Sequence, residues 1–266
     1  MIPYQPIAAP GAPLARRNPV AKVAAALVFS VALIATVDPV TPAVAIGFQL
    51  AVVPLFGVRY AALARRAWPL LLSALGIFGT LLLFAAERTG TLLWQAGPVE
   101  ITTGVLGTAL GMALRVVAVA LPGVLVFATT DPTDLADALV QNVKAPPRFA
   151  IGALAAFRLV PLLAVEWQMV SLARRARGIE AGRNPLARLR LFGSTAFTLL
   201  VGAIRRGTRL AAAMDARGFD SGVPRTAARR QRFGPADAAV IAGAVVLAGA
   251  ALGLSVALGT FRPLLR

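Results

Sequence analysis

Long apolar runs broken by short polar segments set the pattern of this chain. The first covers residues 20–37, with Lys22 near its start, and the second, 40–58, follows after only Asp38-Pro39. A third runs over 68–86, a fourth lies within 104–129, and the last covers 236–260. Each is close to the roughly 20 residues that a helix needs to cross a hydrocarbon core of about 30 Å. The pattern therefore predicts an all-α integral membrane protein with about five transmembrane helices. The first run also has the basic-then-apolar order of a signal peptide, but its length and the immediate second run favour a retained span. In the fourth run, Gly107 and Gly111 have the small-xxx-small spacing that lets another helix approach closely.

Between the fourth and fifth spans the punctuation changes. Asp131-Pro132-Thr133-Asp134 reads as a helix start: Asp131 can cap free N–H groups, Pro132 suits the first helical position, and acids favour the positive end of the dipole. An amphipathic helix to about Gln141 follows, apolar at Leu135, Ala138 and Leu139. Pro146-Pro147 forces a break. Two long helices come next, one to Arg177 and one from Asn184-Pro185 to Arg217. Their apolar stretches, 150–165 (interrupted by Arg158) and 191–204, are too apolar for a solvated rod and short for a span. They read as helices lying against each other and against the inner leaflet or the membrane bundle. A sixth span over 150–165 stays open.

Charge sharpens this division. The chain has 27 Lys+Arg against 11 Asp+Glu, and residues 129–235 hold 17 of the basic and 7 of the acidic ones. Basic residues clustered between spans mark the cytoplasmic side, which places the N-terminus, 59–67 and 129–235 inside the cell. The misfit is an external C-terminus with Arg262 and Arg266. Three regions follow: 1–129, a tail and four spans; 130–235, a basic cytoplasmic domain; and 236–266, the last span and tail. A basic chain could bind nucleic acid, but no aromatic-interleaved basic platform is present, so nucleic acid is not an expected partner and the lipid bilayer is. There is no Cys and no His, which removes thiol chemistry, His-based triads and the usual metal ligand sets. Neither Lys22 nor Lys144 follows a Gly-rich loop, so the chain has no phosphate-binding loop of its own. No catalytic residues, metal or cofactor are expected.

Two phrases forty residues apart carry the chemistry: Arg174-Arg175-Ala176-Arg177-Gly178-Ile179 and Met214-Asp215-Ala216-Arg217-Gly218-Phe219. Glycine directly after a helix is the usual left-handed cap, so Arg177 and Arg217 fall at helix ends, where the dipole favours a cation. A guanidinium projecting from a helix tip can fork onto a carboxylate in a way that lysine cannot reproduce. Ala176 and Ala216 keep each tip slim. With the second helix roughly 45 Å long, the tips lie far apart if the helices cross or run antiparallel. One arginine could then address each half of a symmetric dimer, a geometry that suits a two-fold ATPase. Arg174, Asp215 and Asp220 are supporting residues. Arg115, inside the fourth span, needs a partner because an unpaired intramembrane cation is expensive; Glu166 or a lipid headgroup could serve.

Those residues resemble the T component (EcfT, also seen as CbiQ and BioN) of energy-coupling factor vitamin and metal importers. Ala176-Arg177-Gly178 and Ala216-Arg217-Gly218 match the family's two signatures residue for residue. Residues 13–22 are similar to its N-terminal entry, with Asn18 where the family usually has Asp. Residues 129–139 and Phe157-Arg158-Leu159-Val160-Pro161 are similar to two further family segments. The resemblance implies a non-catalytic coupling subunit in the bacterial plasma membrane. It would bind two ABC-type ATPases through the signature-bearing helices and a substrate-capturing membrane subunit (S component) elsewhere. A conventional ABC importer permease is the main rival, but its Glu-Ala-Ala…Gly coupling loop is absent. A membrane phosphotransferase would need more convergent carboxylates than Asp215 and Asp220.

Overall fold

The computed structural model describes residues 11–36, 38–84, 89–96, 99–219, 221 and 226–261. They form eight α-helices, a short 3₁₀ turn and one β-hairpin, divided between two units, one within 145–230 and the other made of the described residues of 11–144 and 231–261.

The larger unit is a helical bundle in which the helices from Pro19, Thr103 and Pro132 each start on a side chain that satisfies a free backbone N–H group. Helix α1 (Pro19–Ile34) follows Asn18, whose side chain accepts from the Val20 N–H at 2.9 Å. Helix α2 (Val40–Val52) runs into a 3₁₀ turn, Val53–Phe56, that ends on Gly57 at φ +65°. Helix α3 (Tyr60–Phe84) leads to strands β1 (Leu92–Ala96) and β2 (Val99–Thr102), and then to α4 (Thr103–Thr129), capped by Thr102. Helix α5 (Pro132–Asn142) opens on Asp131, which accepts from the Thr133 N–H at 2.7 Å. Helix α8 (Pro235–Ala257) completes the unit.

Helices α1 and α2 lie against α4 and α8, while α3 packs on α4. One apolar cluster joins Phe29 and Leu33 of α1 to Ala45, Ala118, Ala248 and Ala251. A second joins Val53, Phe56, Leu63 and Ala67 to Leu121 and Leu125. Small residues set the spacing. A Cβ on Gly111 would come within 3.3 Å of Pro39, whereas one on Gly107 would meet open space. Pro122, inside α4, removes the N–H that would otherwise bond the Ala118 carbonyl. Gln49 of α2 fills that role, its Nε2 donating to Ala118 O at 2.7 Å.

Five helices are long and apolar enough to cross a membrane, but they are α3, α4, α6, α7 and α8 rather than the five expected. The first two runs form shorter helices. Sixteen residues of α1 reach about 24 Å, less than a hydrocarbon core of about 30 Å. The first ends at Ile34, short of its run's end at 37, where the turn to α2 is built around Asp38, whose carboxylate accepts from the Thr41 N–H at 2.7 Å and from Ser255 Oγ of α8 at 2.8 Å. Two short strands precede the fourth span. Leu92–Ala96 and Val99–Thr102 pair as antiparallel strands, with residues 97–98 between them outside the described residues. Arg262 and Arg266 also lie outside them.

The second unit contains α6 (Pro147–Ala176) and α7 (Pro185–Ala216). Each starts on a proline at the first helical position, and Asn184 caps α7 through the N–H groups of Leu186 and Ala187.

Candidate coupling site

Both Ala-Arg-Gly triplets fold into the same local structure. Arg177 is the C-cap of α6, and Gly178 beyond it adopts φ +73°; Arg217 is the C-cap of α7, and Gly218 adopts φ +72°. At the first tip the Gly178 N–H bonds Arg175 O at 2.9 Å and the Ile179 N–H bonds Arg174 O at 3.0 Å. At the second the Gly218 N–H bonds Asp215 O at 2.9 Å and the Phe219 N–H bonds Met214 O at 3.1 Å. These are two copies of one Schellman cap, with the chain turning away through a left-handed residue that only glycine adopts cheaply. The repeated triplet thus encodes a repeated backbone shape with an arginine at its corner. Arg177 and Arg217 are exposed, and neither guanidinium has a hydrogen bond or ion pair among the described residues.

Contacts between α6 and α7 fix where the tips stand. Arg174 Nη1 donates to Thr195 Oγ1 at 2.7 Å and to Leu191 O at 3.3 Å, while its Nη2 donates to Ser194 Oγ at 2.9 Å. Two turns earlier on α6, Glu166 forms a two-pronged ion pair with Arg206, whose Nη2 donates to Glu166 Oε2 at 2.8 Å. Trp167 stacks obliquely on Phe192 with ring centroids 5.0 Å apart. The end of α6 therefore meets the start of α7, and the helices run antiparallel. The linker is held as well: Arg188 Nε donates to Gly182 O at 3.1 Å, and Gly182 sits at φ +51°. Arg177 lies by the start of α7 and Arg217 at its end, so 32 residues, or about 48 Å of helix, run from the neighbourhood of one tip to the other.

The other charges separate by role. Arg174 braces the hairpin from beneath the first tip. Asp215 is exposed at the second tip and contributes its carbonyl to the cap, and Asp220 lies outside the described residues. Arg115 of α4 finds its partner on α1, donating through Nη2 to Ile34 O near the negative end of that helix. Glu166 is engaged by Arg206 instead, a pairing that sequence reasoning missed. Its signal was a lone acid in one apolar helix opposite a twin-arginine step, Arg205-Arg206, in the next. Ser194-Thr195, a polar pair inside an apolar stretch, was the signal for the Arg174 brace.

Most of the remaining surface of both helices is apolar. Phe157, Val160 and Met169 on α6 and Leu189, Phe197 and Ile204 on α7 are exposed, far more than a solvated pair of helices carries.

A family model described as CbiQ, cobalt transport protein, matches residues 11–227. The chain is 30% identical over 192 residues to an energy-coupling factor transporter transmembrane protein EcfT of Exiguobacterium sibiricum, covering 69% of this chain and 72% of the relative. It is 29% identical over 209 residues to EcfT of Bacillus subtilis, covering 76% and 78%. It is also 28% identical over 245 residues to a putative ABC transporter ATP-binding protein of Bifidobacterium longum, covering 89% of this chain but 31% of that protein. The matched region takes in both arginine caps and every helix except α8. With a family model matched over residues 11–227 and five long apolar helices, the chain belongs to the CbiQ/EcfT family, as a multi-pass transmembrane coupling subunit of an energy-coupling factor transporter.

Proposed function

We propose that Arg177 and Arg217 are the contacts through which this subunit grips a pair of ABC-type ATPases, one arginine to each. One observation carries the reading: the same Schellman cap occurs twice, with an exposed arginine at the same position, at two places that α7 holds about 48 Å apart. A helix C-terminus favours a cation, and a forked guanidinium matches a carboxylate in a groove. The Bifidobacterium relative supports the partner class, since this chain corresponds to under a third of a protein named for ATP binding. Motion of the ATPases would be transmitted through the braced α6–α7 hairpin to the bundle, and from there to an S component that releases a vitamin or transition-metal ion inside the cell. On this reading α6 and α7, though long and apolar enough to span, lie along the inner leaflet. The arginine tips and the N-terminus face the cytoplasm, and the bundle lies in the plasma membrane. This agrees with the 17 basic residues found between 129 and 235.

Co-purification from membranes tests the reading. Wild type, Arg177→Glu, Arg217→Glu and the double variant are compared for ATPase recovery and ATP-dependent uptake. Each single reversal is expected to weaken recovery about tenfold or more, as loss of a charge-assisted pair does, and the double variant to abolish it while retaining wild-type helicity. Full recovery and uptake in the double variant would make the triplets ordinary helix caps.

A further inference from the structure

The bundle unit contains a cleft of about 460 Å³ between α1, α2, α4 and α8, within the size range of ligand-holding sites, about 300–1,000 Å³. Its walls are apolar: Phe29, Phe56, Leu125, Val126 and Leu247 line it. One end carries the basic residues Arg17 and Lys22. The segment before α1 crosses there, held by the Leu14 N–H on Leu55 O at 3.1 Å and by Lys22 Nζ on Ala15 O at 2.7 Å. Lys22 is deeply buried and also donates to Thr129 O at 3.2 Å, and its charge is balanced by Asp134 and Asp237 nearby. Arg17 lines the same end, and no carboxylate pairs with it among the described residues. Gln49 of α2 also lines the cleft, with its Nε2 held on Ala118 O. Gln49 is 7% exposed, and its Oε1 has no partner among the described residues.

An apolar slot with an arginine at its mouth that no carboxylate pairs among the described residues is complementary to an amphiphile with an anionic head. We propose that the cleft binds one anionic phospholipid, with its phosphate at Arg17 and the first part of an acyl chain between α1 and α8. Leu55 and Ala239 at the rim are exposed, so the rest of the chain can pass out into the bilayer. The partner is a lipid rather than a soluble anion because the walls offer apolar contact along their length and few polar groups. The site would tie the α1–α8 end of the bundle to the charged face of the membrane. It uses neither arginine tip and stands whether or not these bind ATPases.

Two substitutions separate the head from the chain. A Cβ on Gly243, which lines the cleft, would meet nothing within 4 Å, so Gly243→Phe projects into the slot without disturbing the α8 backbone. Arg17→Gln removes the phosphate contact. The purified full-length protein is exchanged into phosphatidylglycerol or phosphatidylcholine of identical chains, and retained lipid is counted by native mass spectrometry. Wild type is expected to keep one phosphatidylglycerol through washing that strips phosphatidylcholine, and excess inorganic phosphate leaves it in place. Arg17→Gln lowers retention about tenfold, the scale of one charge-assisted contact, and Gly243→Phe abolishes it. Ala239→Leu at the rim serves as a second blocking variant should the first fail to fold. Equal retention of both lipids, displacement by phosphate alone, or undiminished binding in the blocking variants would overturn the proposal.

Discussion

Arginines three residues apart at the end of α6 do different work, and the difference is measurable. Arg174 spends its guanidinium on Thr195, Ser194 and the Leu191 carbonyl, whereas Arg177 projects from the cap with no partner among the described residues. Hydrogen bonds to a charged group contribute about 1.5–3 kcal/mol each at most, and removing the donor strands its acceptors. Arg174→Met is therefore expected to lower the thermal midpoint of the purified protein by several degrees, while Arg177→Met leaves it unchanged. Equal shifts in the two variants would mean that the tip arginine is structural. The triplets were legible in the sequence because glycine after a helix has one common use. The brace was not, because its acceptors lie 17 to 21 residues away on a helix whose register against α6 no local pattern fixes.

Elements were legible where punctuation is local. Asp131-Pro132, Pro146-Pro147 and Asn184-Pro185 each mark a helix start, because a capping side chain or a proline acts on its immediate neighbours. The β-hairpin was missed, since its strands are 5 and 4 residues long and their β-branched and aromatic residues sit beside a much stronger helical signal. Spacing motifs were legible only in part. Gly107 and Gly111 satisfy the same rule, yet Gly111 alone meets a neighbour, the Pro39 ring at the α1–α2 turn. Gly111→Val is expected to cost about 1–3 kcal/mol through overpacking. Gly107→Val is expected to change stability by less than about 0.5 kcal/mol. Unfolding of both variants in mixed micelles checks this, and a destabilised Gly107→Val with a neutral Gly111→Val would show that the α4 face is misassigned.

At the scale of the whole molecule, membrane character and family were legible, while the assignment of spans to helices was not. Apolar length alone made 20–37 look like a span, but α1 stops at Ile34, and the turn beyond it is built around Asp38, whose contact with Ser255 near the end of α8 reaches 217 residues along the chain. Burial pushes the Asp38 carboxyl up, and the hydrogen bonds from the Thr41 N–H, Ser255 Oγ and Thr41 Oγ1 outweigh it, so its pKa is held below the ordinary value. A carboxyl whose folded pKa is depressed binds its proton less readily folded than unfolded. Its contribution is then complete above the unfolded pKa of about 3.9 and is lost as pH falls through the folded value. Wild type is expected to lose thermal stability as pH is lowered from about 5 to 3, with part of that slope traceable to this one group. Asp38→Asn, which cannot ionise and reproduces fewer of the acceptor contacts, should start less stable at neutral pH and show a shallower acid slope. The two curves converge at low pH if the α1–α2 turn and α8 are joined by the ionised carboxylate. Parallel curves would place the acid sensitivity on other carboxylates and leave Asp38 a packing residue.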